Sequence, residues 1–128
     1  MNNSLRWGLV ICALAVVSGA FGAHSLKKVL SAGALMNWET ASRYQFYHGI
    51  GLLIAGFFGQ SSGSDRWRLS SRLFITGIIL FSGSLYLMSL SEIFTINMKW
   101  LGPVTPLGGL CFIAGWLSPL FPRKHVSK

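Results

Sequence analysis

Apolar residues run almost without interruption through four stretches of the chain, residues 7–23, 44–59, 73–90 and 104–121, and polar residues collect between them. A helix needs roughly 17–25 residues to cross about 30 Å of hydrocarbon, so each stretch is near the length of one membrane span. The first is bounded by Arg6 and Trp7 on one side and by His24, Lys27 and Lys28 on the other, residue types that seek the membrane interface. The second is short as an apolar run but has a helical lead-in from Asn37 or Trp38, with Asn37 placed to cap it and Glu39 in its first turn. Pro119 and Pro122 end the fourth, leaving Arg123, Lys124, His125 and Lys128 as a basic tail.

The connections follow from the polar positions. Ser61, Ser62, Gly63, Ser64 and Asp65 form a turn-rich cluster that cannot continue a membrane helix. Residues 25–36 are too short and too mixed to cross, but Leu26, Val29, Leu30 and Leu35 are predicted to lie along the interface as a short amphipathic segment. Residues 91–102, with Glu92, Asn97, Lys99 and Trp100, join the last two spans. The pattern therefore predicts one integral membrane domain over residues 1–128, an all-α, polytopic protein with four transmembrane helices in a compact bundle. Arg6, an apolar run and then Ser18, Gly19 and Ala20 also resemble a cleavable signal peptide, but the run continues through Phe21 and cleavage would leave an odd number of spans. An uncleaved first span is the reading adopted.

Composition sharpens this. Apolar residues make up 52% of the chain and charged residues only 11%, against about a quarter charged in soluble domains. With a mean hydropathy of +0.53 there is too little polar surface to wrap a soluble core, which excludes a soluble enzyme and a disordered chain. The net charge of +8 would suggest nucleic acid in a soluble protein, whereas in a membrane protein it reflects basic loops that fix topology. The expected partner is the lipid bilayer and not nucleic acid. Arg6, Arg66, Arg68, Arg72, Arg123, Lys124 and Lys128 share one side of a four-span chain, and Lys27, Lys28, Arg43 and Lys99 the other. That excess predicts that both termini face the cytoplasm. Cys12 and Cys111 lie in apolar runs without a CxxC motif or metal-ligand spacing, so no disulfide, metal site or cofactor is expected.

Helices in lipid associate through small residues and polar contacts. Gly8, Cys12, Ala15, Gly19 and Gly22 recur at three- and four-residue spacing on the first span, Gly77 and Ser84 share a stripe on the third, and Gly108, Cys111 and Gly115 do so on the fourth, with Pro119 beyond them. These are the predicted packing faces, and Leu52 is predicted to meet lipid.

The chemically unusual residues gather near the ends of the first two spans: His24, Glu39, Thr40, Arg43, Tyr44, Gln45, Tyr47 and His48. Glu39 and Arg43 are four apart and can pair on a helix, with Thr40, Tyr44, Tyr47 and Gly51 on a neighbouring face and His48 at its flank. An ion pair that pins the second helix is the simpler reading, and a binding or proton-handling site the sharper one. His48 reads as an imidazole satisfied by a neighbouring helix, His24 as a helix-end residue, and Tyr44 and Tyr47 as aromatic-belt anchors. No GxSxG, HExxH, paired catalytic carboxylates or phosphate-binding glycine loop is present, which argues against an enzyme.

Four motifs in order carry a family likeness. The run from Ser18-Gly19-Ala20-Phe21-Gly22-Ala23-His24-Ser25-Leu26-Lys27, through Glu39-Thr40-Ala41-Ser42-Arg43-Tyr44-Gln45-Phe46-Tyr47-His48 and Leu80-Phe81-Ser82-Gly83-Ser84-Leu85-Tyr86, to Pro103-Val104-Thr105-Pro106-Leu107-Gly108-Gly109 resembles the small inner-membrane proteins of the YgdD and YwdK type, a domain of unknown function. Ser25 and Gly49 replace an expected Gly and Ala, both small changes. The resemblance implies a multi-pass protein of the bacterial inner (plasma) membrane with about four helices and no established activity, cofactor or substrate. Pro103 and Pro106 with Gly108 and Gly109 predict a rigid turn into the last span, a broken helix facing a substrate being the alternative. Ser82, Ser84 and Tyr86 are placed for interhelical contacts. The function that follows is a non-enzymatic membrane component, structural or binding a partner or ligand, with a second copy or another membrane protein as its neighbour. The alternative is a small transporter or channel subunit with a polar site near His24, Glu39, Arg43 and His48, which would need a continuous polar cavity.

Overall fold

The structure is a computed structural model that describes residues 1–121. Within them the chain is helical and contains no strand: α1 (Asn3–His24), α2 (Ala32–Ser62), α3 (Asp65–Gly77), a five-residue π-helical segment (Ile78–Ser82), α4 (Gly83–Phe94) and α5 (Val104–Leu117). The π segment runs directly from α3 into α4, so the three form one long rod. Short 3-10 turns at Leu26–Lys28, Lys99–Leu101 and Ser118–Leu120 complete it. Pro119 lies in the last of these, where α5 stops, whereas Pro122 and the basic tail fall outside the described residues.

Each helix end has a local cause. The Asn2 side chain accepts the Leu5 N–H and caps α1. Ser31, not Asn37, caps α2, accepting the Ala34 N–H, so α2 begins a turn and a half earlier than Asn37 would allow. Glu92 holds this start in place: its Oε2 accepts both the Ser31 N–H and the Ser31 hydroxyl at 3.1 Å. Gly63 ends α2 at φ 62°, a left-handed conformation that glycine adopts without steric cost, and Ser64 then caps α3.

Three helical stretches are long and apolar enough to cross a membrane, Asn3–Lys28, Asp65–Phe94 and Lys99–Leu120. The expected fourth is not among them. At 31 residues α2 is ample in length, about 46 Å, but Glu39, Arg43, Gln45 and His48 make it too polar in composition.

α2 is the central element. α1 packs antiparallel along one side of it, α3, the π segment and α4 along another, and α5 closes against α3 and the π segment. The interior is built the opposite way from that of a soluble domain. Ser42, Gln45, His48, Ser70, Ser71, Ser82, Ser84, Ser89 and Ser118 are buried, while Leu9, Val16, Val17, Phe57, Ile79, Leu110 and Ile113 are exposed. Hydrocarbon outside and hydrogen-bonded polar groups inside is the distribution a bilayer solvent favours.

Two apolar clusters lie within. Leu52, Ala55, Phe74 and Phe112 form the first, which places Leu52 in the core, fully buried, and not against lipid. Beside it on α2 is Gly51, a Cβ on which would meet the Phe74 ring at 2.9 Å, so α3 covers the neighbouring side. Leu26, Leu30 and Trp38 form the second, packed against Tyr86 and Leu90. The predicted interfacial segment is thus folded onto the end of the bundle through Leu26 and Leu30, and of that set Val29 stays exposed.

Candidate functional site

α2 carries a regular stripe: Trp38, Ser42, Gln45, Gly49, Leu52 and Gly56, spaced alternately by four and three. This is the 3.5-residue repeat of helices that wrap around one another. α1 carries the matching stripe, Gly8, Cys12, Ala15, Gly19 and Gly22. Where the two meet, a polar side chain of α2 donates to an α1 carbonyl. Trp38 Nε1 donates to Ser18 O at 2.8 Å, the Ser42 hydroxyl to Ala15 O at 2.9 Å and Gln45 Nε2 to Ile11 O at 3.0 Å. Asn2 closes the far end from the other direction, its Nδ2 donating to Gly56 O at 2.8 Å.

Small residues make the approach close enough for these bonds. A Cβ on Gly22 would meet the Trp38 ring at 2.6 Å, one on Gly49 would meet Cys12 Sγ at 2.6 Å, and one on Gly8 would meet Leu53 at 2.7 Å. Gly19 is 3.1 Å from the Ser42 hydroxyl on the same measure.

The other interfaces repeat this chemistry. Ser82 donates to Ala41 O at 2.8 Å, Ser89 to Ala34 O at 2.8 Å and Ser70 to Gly115 O at 2.7 Å. Ser84 and Thr105 share a hydrogen bond of 2.6 Å between α4 and α5. Gly77 and Gly115 receive the Phe112 and Phe74 rings, and Gly108 lies directly on the Phe81 backbone. Pro103 occupies the cap position of α5 and Pro106 its first turn, so the proline pair begins an unbroken helix. Both cysteines are free, partly buried thiols.

Gln45 joins two interfaces. Its Oε1 accepts the Tyr86 hydroxyl at 2.7 Å while its Nε2 reaches α1, so one amide ties α1, α2 and α4 together.

The predicted polar constellation separates into three places. His48 and Tyr44 face α5: His48 Nδ1 donates to the Tyr44 carbonyl at 2.7 Å, and its ring stacks on Phe112 with centroids 3.4 Å apart and planes at 8°. Phe74 and Trp116 surround it, and Tyr44 packs on Phe81 at 4.7 Å. Glu39, Arg43 and Tyr47 are exposed on another flank, in a shallow groove of about 430 Å³ against Ala15, Val16 and Gly19 of α1. Thr40 lies half-buried between these groups.

His24 is in the third place, exposed at the end of α1. It lies two residues past Gly22, which faces Trp38, and His48 is ten residues beyond Trp38 along α2, so about 18 Å separates the two histidines along the axis. Among the described residues no group of three or more His, Cys, Asp or Glu is placed to hold a metal ion. The predicted Glu39–Arg43 pair is also absent. The ion pair among the described residues is Arg68–Asp65, 2.7 Å apart on the surface. Helical spacing permits the Glu39–Arg43 contact, but both side chains extend into the groove and do not meet.

The contacts also fix the level of these groups against the apolar runs of the other helices. The middles of the three apolar runs on the other helices are Ala15, Ser82 and Phe112, and they touch α2 at Ser42, Ala41 and His48 respectively. The part of α2 opposite residues 7–23 of α1 is residues 38–53, from the Gly22–Trp38 and Gly8–Leu53 contacts. This lies six residues toward the N-terminus from the 44–59 that hydropathy suggests, with Glu39 one residue and Arg43 five residues from its end.

A cleft of about 960 Å³ is lined almost entirely by carbon. Trp7, Ile11 and Leu14 of α1 form one wall, Ile75, Ile78 and Ile79 the other, and Gln45 its polar floor.

Residues 18–109 match the family model described as a protein of unknown function, DUF423. The chain belongs to the DUF423 family. Members similar to it are named UPF0382 membrane proteins. One from Staphylococcus saprophyticus is 45% identical over 111 residues, 86% of this chain and 87% of the relative. The UPF0382 membrane protein YwdK of Bacillus subtilis is 40% identical, covering 86% of each chain. No solved structure matches. This DUF423 chain is therefore a membrane protein, and the matched region holds all of α2, the α3–α4 rod and the start of α5.

Glu92 and the α2 stripe are structural positions that hydropathy does not mark. The stripe could have been found by scoring small and donor residues together at 3.5-residue spacing. Gln45 is its energetic centre. Interhelical hydrogen bonds in membranes contribute about 0.6 kcal/mol on average and up to about 1.7 kcal/mol. Gln45→Leu should therefore lower the unfolding free energy in mild detergent by about 1–2 kcal/mol and Tyr86→Phe by less. The double variant should cost less than the sum, because the two share one bond. A strictly additive cycle would contradict this geometry.

Proposed function

We propose that this chain is a four-span integral protein of the bacterial plasma membrane, with both termini in the cytoplasm, that acts as a structural and ligand-receiving component and not as an enzyme. α2 is the fourth span, its polar residues turned toward the other helices or held in the groove beside α1. The relatives from Staphylococcus and Bacillus support the bacterial setting. Orientation is supported by where the basic residues sit. Arg6, Arg66, Arg68 and Arg72 lie at the end of the bundle where Asn2 meets Gly56, and Lys27, Lys28 and Lys99 at the other. Arg43 lies five residues inside the end that carries Lys27 and Lys28 and is counted with them, which leaves the excess on the side of Arg6, Arg66, Arg68, Arg72 and the basic tail.

The cleft between α1 and the α3–α4 rod is the observation that carries the reading. It opens sideways, and its carbon lining suits a hydrocarbon chain and not a polar solute. The interior route a transporter would need is occupied: His48 is stacked on Phe112, and Ser42, Gln45, Ser70, Ser82 and Ser89 are committed to neighbouring helices. This supports ligand reception within the bilayer plane over passage through the bundle.

Two measurements test the proposal. Reporter fusions after Lys128 and within residues 61–64 should both report the cytoplasm, and a fusion within residues 25–31 the opposite side; a C-terminal reporter active only outside would refute the topology. Protein extracted with its surrounding lipid should retain lipid through washing, and Ile79→Trp, which fills the cleft from an exposed position, should lower that retained lipid while leaving thermal unfolding unchanged. Equal retention by both proteins would contradict ligand reception in the cleft.

A further inference from the structure

Arg66, Arg68 and Arg72 stand within seven residues of α3, and one acid, Asp65, stands with them. Arg68 is paired with that acid at 2.7 Å, so among the described residues Arg66 and Arg72 have no ion-pair partner. These side chains and Leu69 line a mainly polar cavity of about 350 Å³. Arg72 is exposed and Arg66 half-buried, and the Arg66 Nε is a buried donor with no acceptor among the described residues. Such a donor costs free energy until an acceptor meets it. The cavity is on the side of α3 turned away from the bundle, since Ser70, Ser71, Phe74 and Gly77 are buried while Arg68, Leu69 and Arg72 are exposed.

Contacts set the level of this cavity. Gly59 faces Trp67 and Gly51 faces Phe74, so α3 runs antiparallel to α2, and Arg72, two residues before Phe74, is level with Leu53. Leu53 in turn touches Gly8, the neighbour of Trp7, where the first apolar run begins. Arginine at this level reaches the lipid phosphates. From here one stripe runs up the rod, Arg68, Arg72, Ile75 and Ile79, at four- and three-residue spacing. Ile75 and Ile79 are already in the wall of the carbon-lined cleft, opposite Trp7 and Ile11. Charge at the interface with carbon directly beyond it is the order of a phospholipid's own parts.

We propose that the arginine cavity and the cleft are one site for an anionic phospholipid, its phosphate held by Arg72 and Arg66 and one acyl chain laid along Ile75 and Ile79. The proposal rests on the reading that the cleft receives a lipid, and it names which lipid. Asp65 and Arg68 neutralise each other, so the two remaining guanidiniums set the preference. A zwitterionic headgroup brings a cation of its own beside them, whereas an anionic one keeps its phosphate charge unopposed. The cleft beyond favours a ligand with a chain over a free anion.

The experiment titrates delipidated full-length protein in mild detergent with dioleoyl phosphatidylglycerol or with dioleoyl phosphatidylcholine, which have the same chains, and counts bound lipid by native mass spectrometry. The natural chain should bind the anionic lipid more than about tenfold more tightly. Arg72→Gln should weaken that binding about fivefold, as should Arg66→Gln, and both should leave phosphatidylcholine unaffected. Arg6→Gln, at the same end of the bundle but outside the cavity, should keep the preference, and Ile79→Trp should lower both lipids alike. Arg72 is exposed, so its variant should unfold at the natural temperature and carries the test if Arg66→Gln does not fold.

Equal binding of the two lipids by the natural chain would overturn the proposal while leaving the cleft as a site for a chain alone. A loss in Arg6→Gln as large as in Arg72→Gln would also overturn it, because overall charge would then explain the preference. Inorganic phosphate at the same concentration should not displace phosphatidylglycerol; displacement would make this a free-anion site and overturn the lipid assignment. Binding of neither lipid would overturn the cleft reading and the proposal together.

Discussion

The contact between α1 and α2 is the one on which the rest of the structure depends. α1 packs on α2 far more than on any other helix, so nothing else holds it in the bundle. Trp38, Ser42 and Gln45 donate to three α1 carbonyls from one face, at heights set by glycine and alanine in the opposing stripe. Each bond is modest, and lipid offers no hydrophobic drive to bring the helices together. What makes them count is that a donor left unpaired in hydrocarbon would cost several kcal/mol, so the register in which all three are met is strongly preferred over its neighbours.

That register fixes the height of α2 against α1, and height gives meaning to its polar residues. Gln45 and His48 become interior groups satisfied by Tyr86, Ile11 and the Tyr44 carbonyl, and Phe112 covers the imidazole. Glu39 and Arg43 become charges without a partner in the chain's described part. Because α1 stands on α2 alone, a cleft remains between it and the α3–α4 rod, with the π segment in its wall. The shape of the cleft, the position of the charges and the closed interior are consequences of one helix pair.

Much of this was legible in the residues, and the parts that were not share a physical reason. The α1 stripe reads directly, because glycines repeated at 3.5-residue spacing have little other use in a helix. The α2 stripe is hidden, since an indole, a hydroxyl, an amide, two glycines and a leucine look unrelated on a hydropathy scale. The same scale reports how apolar a residue is and not which way it points, so it put Leu52 against lipid although the neighbouring helices cover it. The Asn37 cap failed because Glu92, sixty-one residues from Ser31 in sequence, stabilises an earlier start. His24, Glu39 and His48 gather in the sequence but point to different flanks of the bundle, and only the packing of α1 and α5 against α2 separates them.

Depth along α2 is the most direct test of this account. Nitroxide labels placed singly at Met36, Tyr47, Ile50 and Phe57, all exposed outward, would be compared for access to oxygen, which concentrates in the membrane centre, and to a water-soluble nickel chelate. The label should be deepest at Tyr47, shallower at Ile50 and shallowest at Phe57, with Met36 rising again toward the opposite surface. A maximum at or beyond Ile50, or equal access of the nickel chelate at all four sites, would contradict the register that the α1–α2 hydrogen bonds impose.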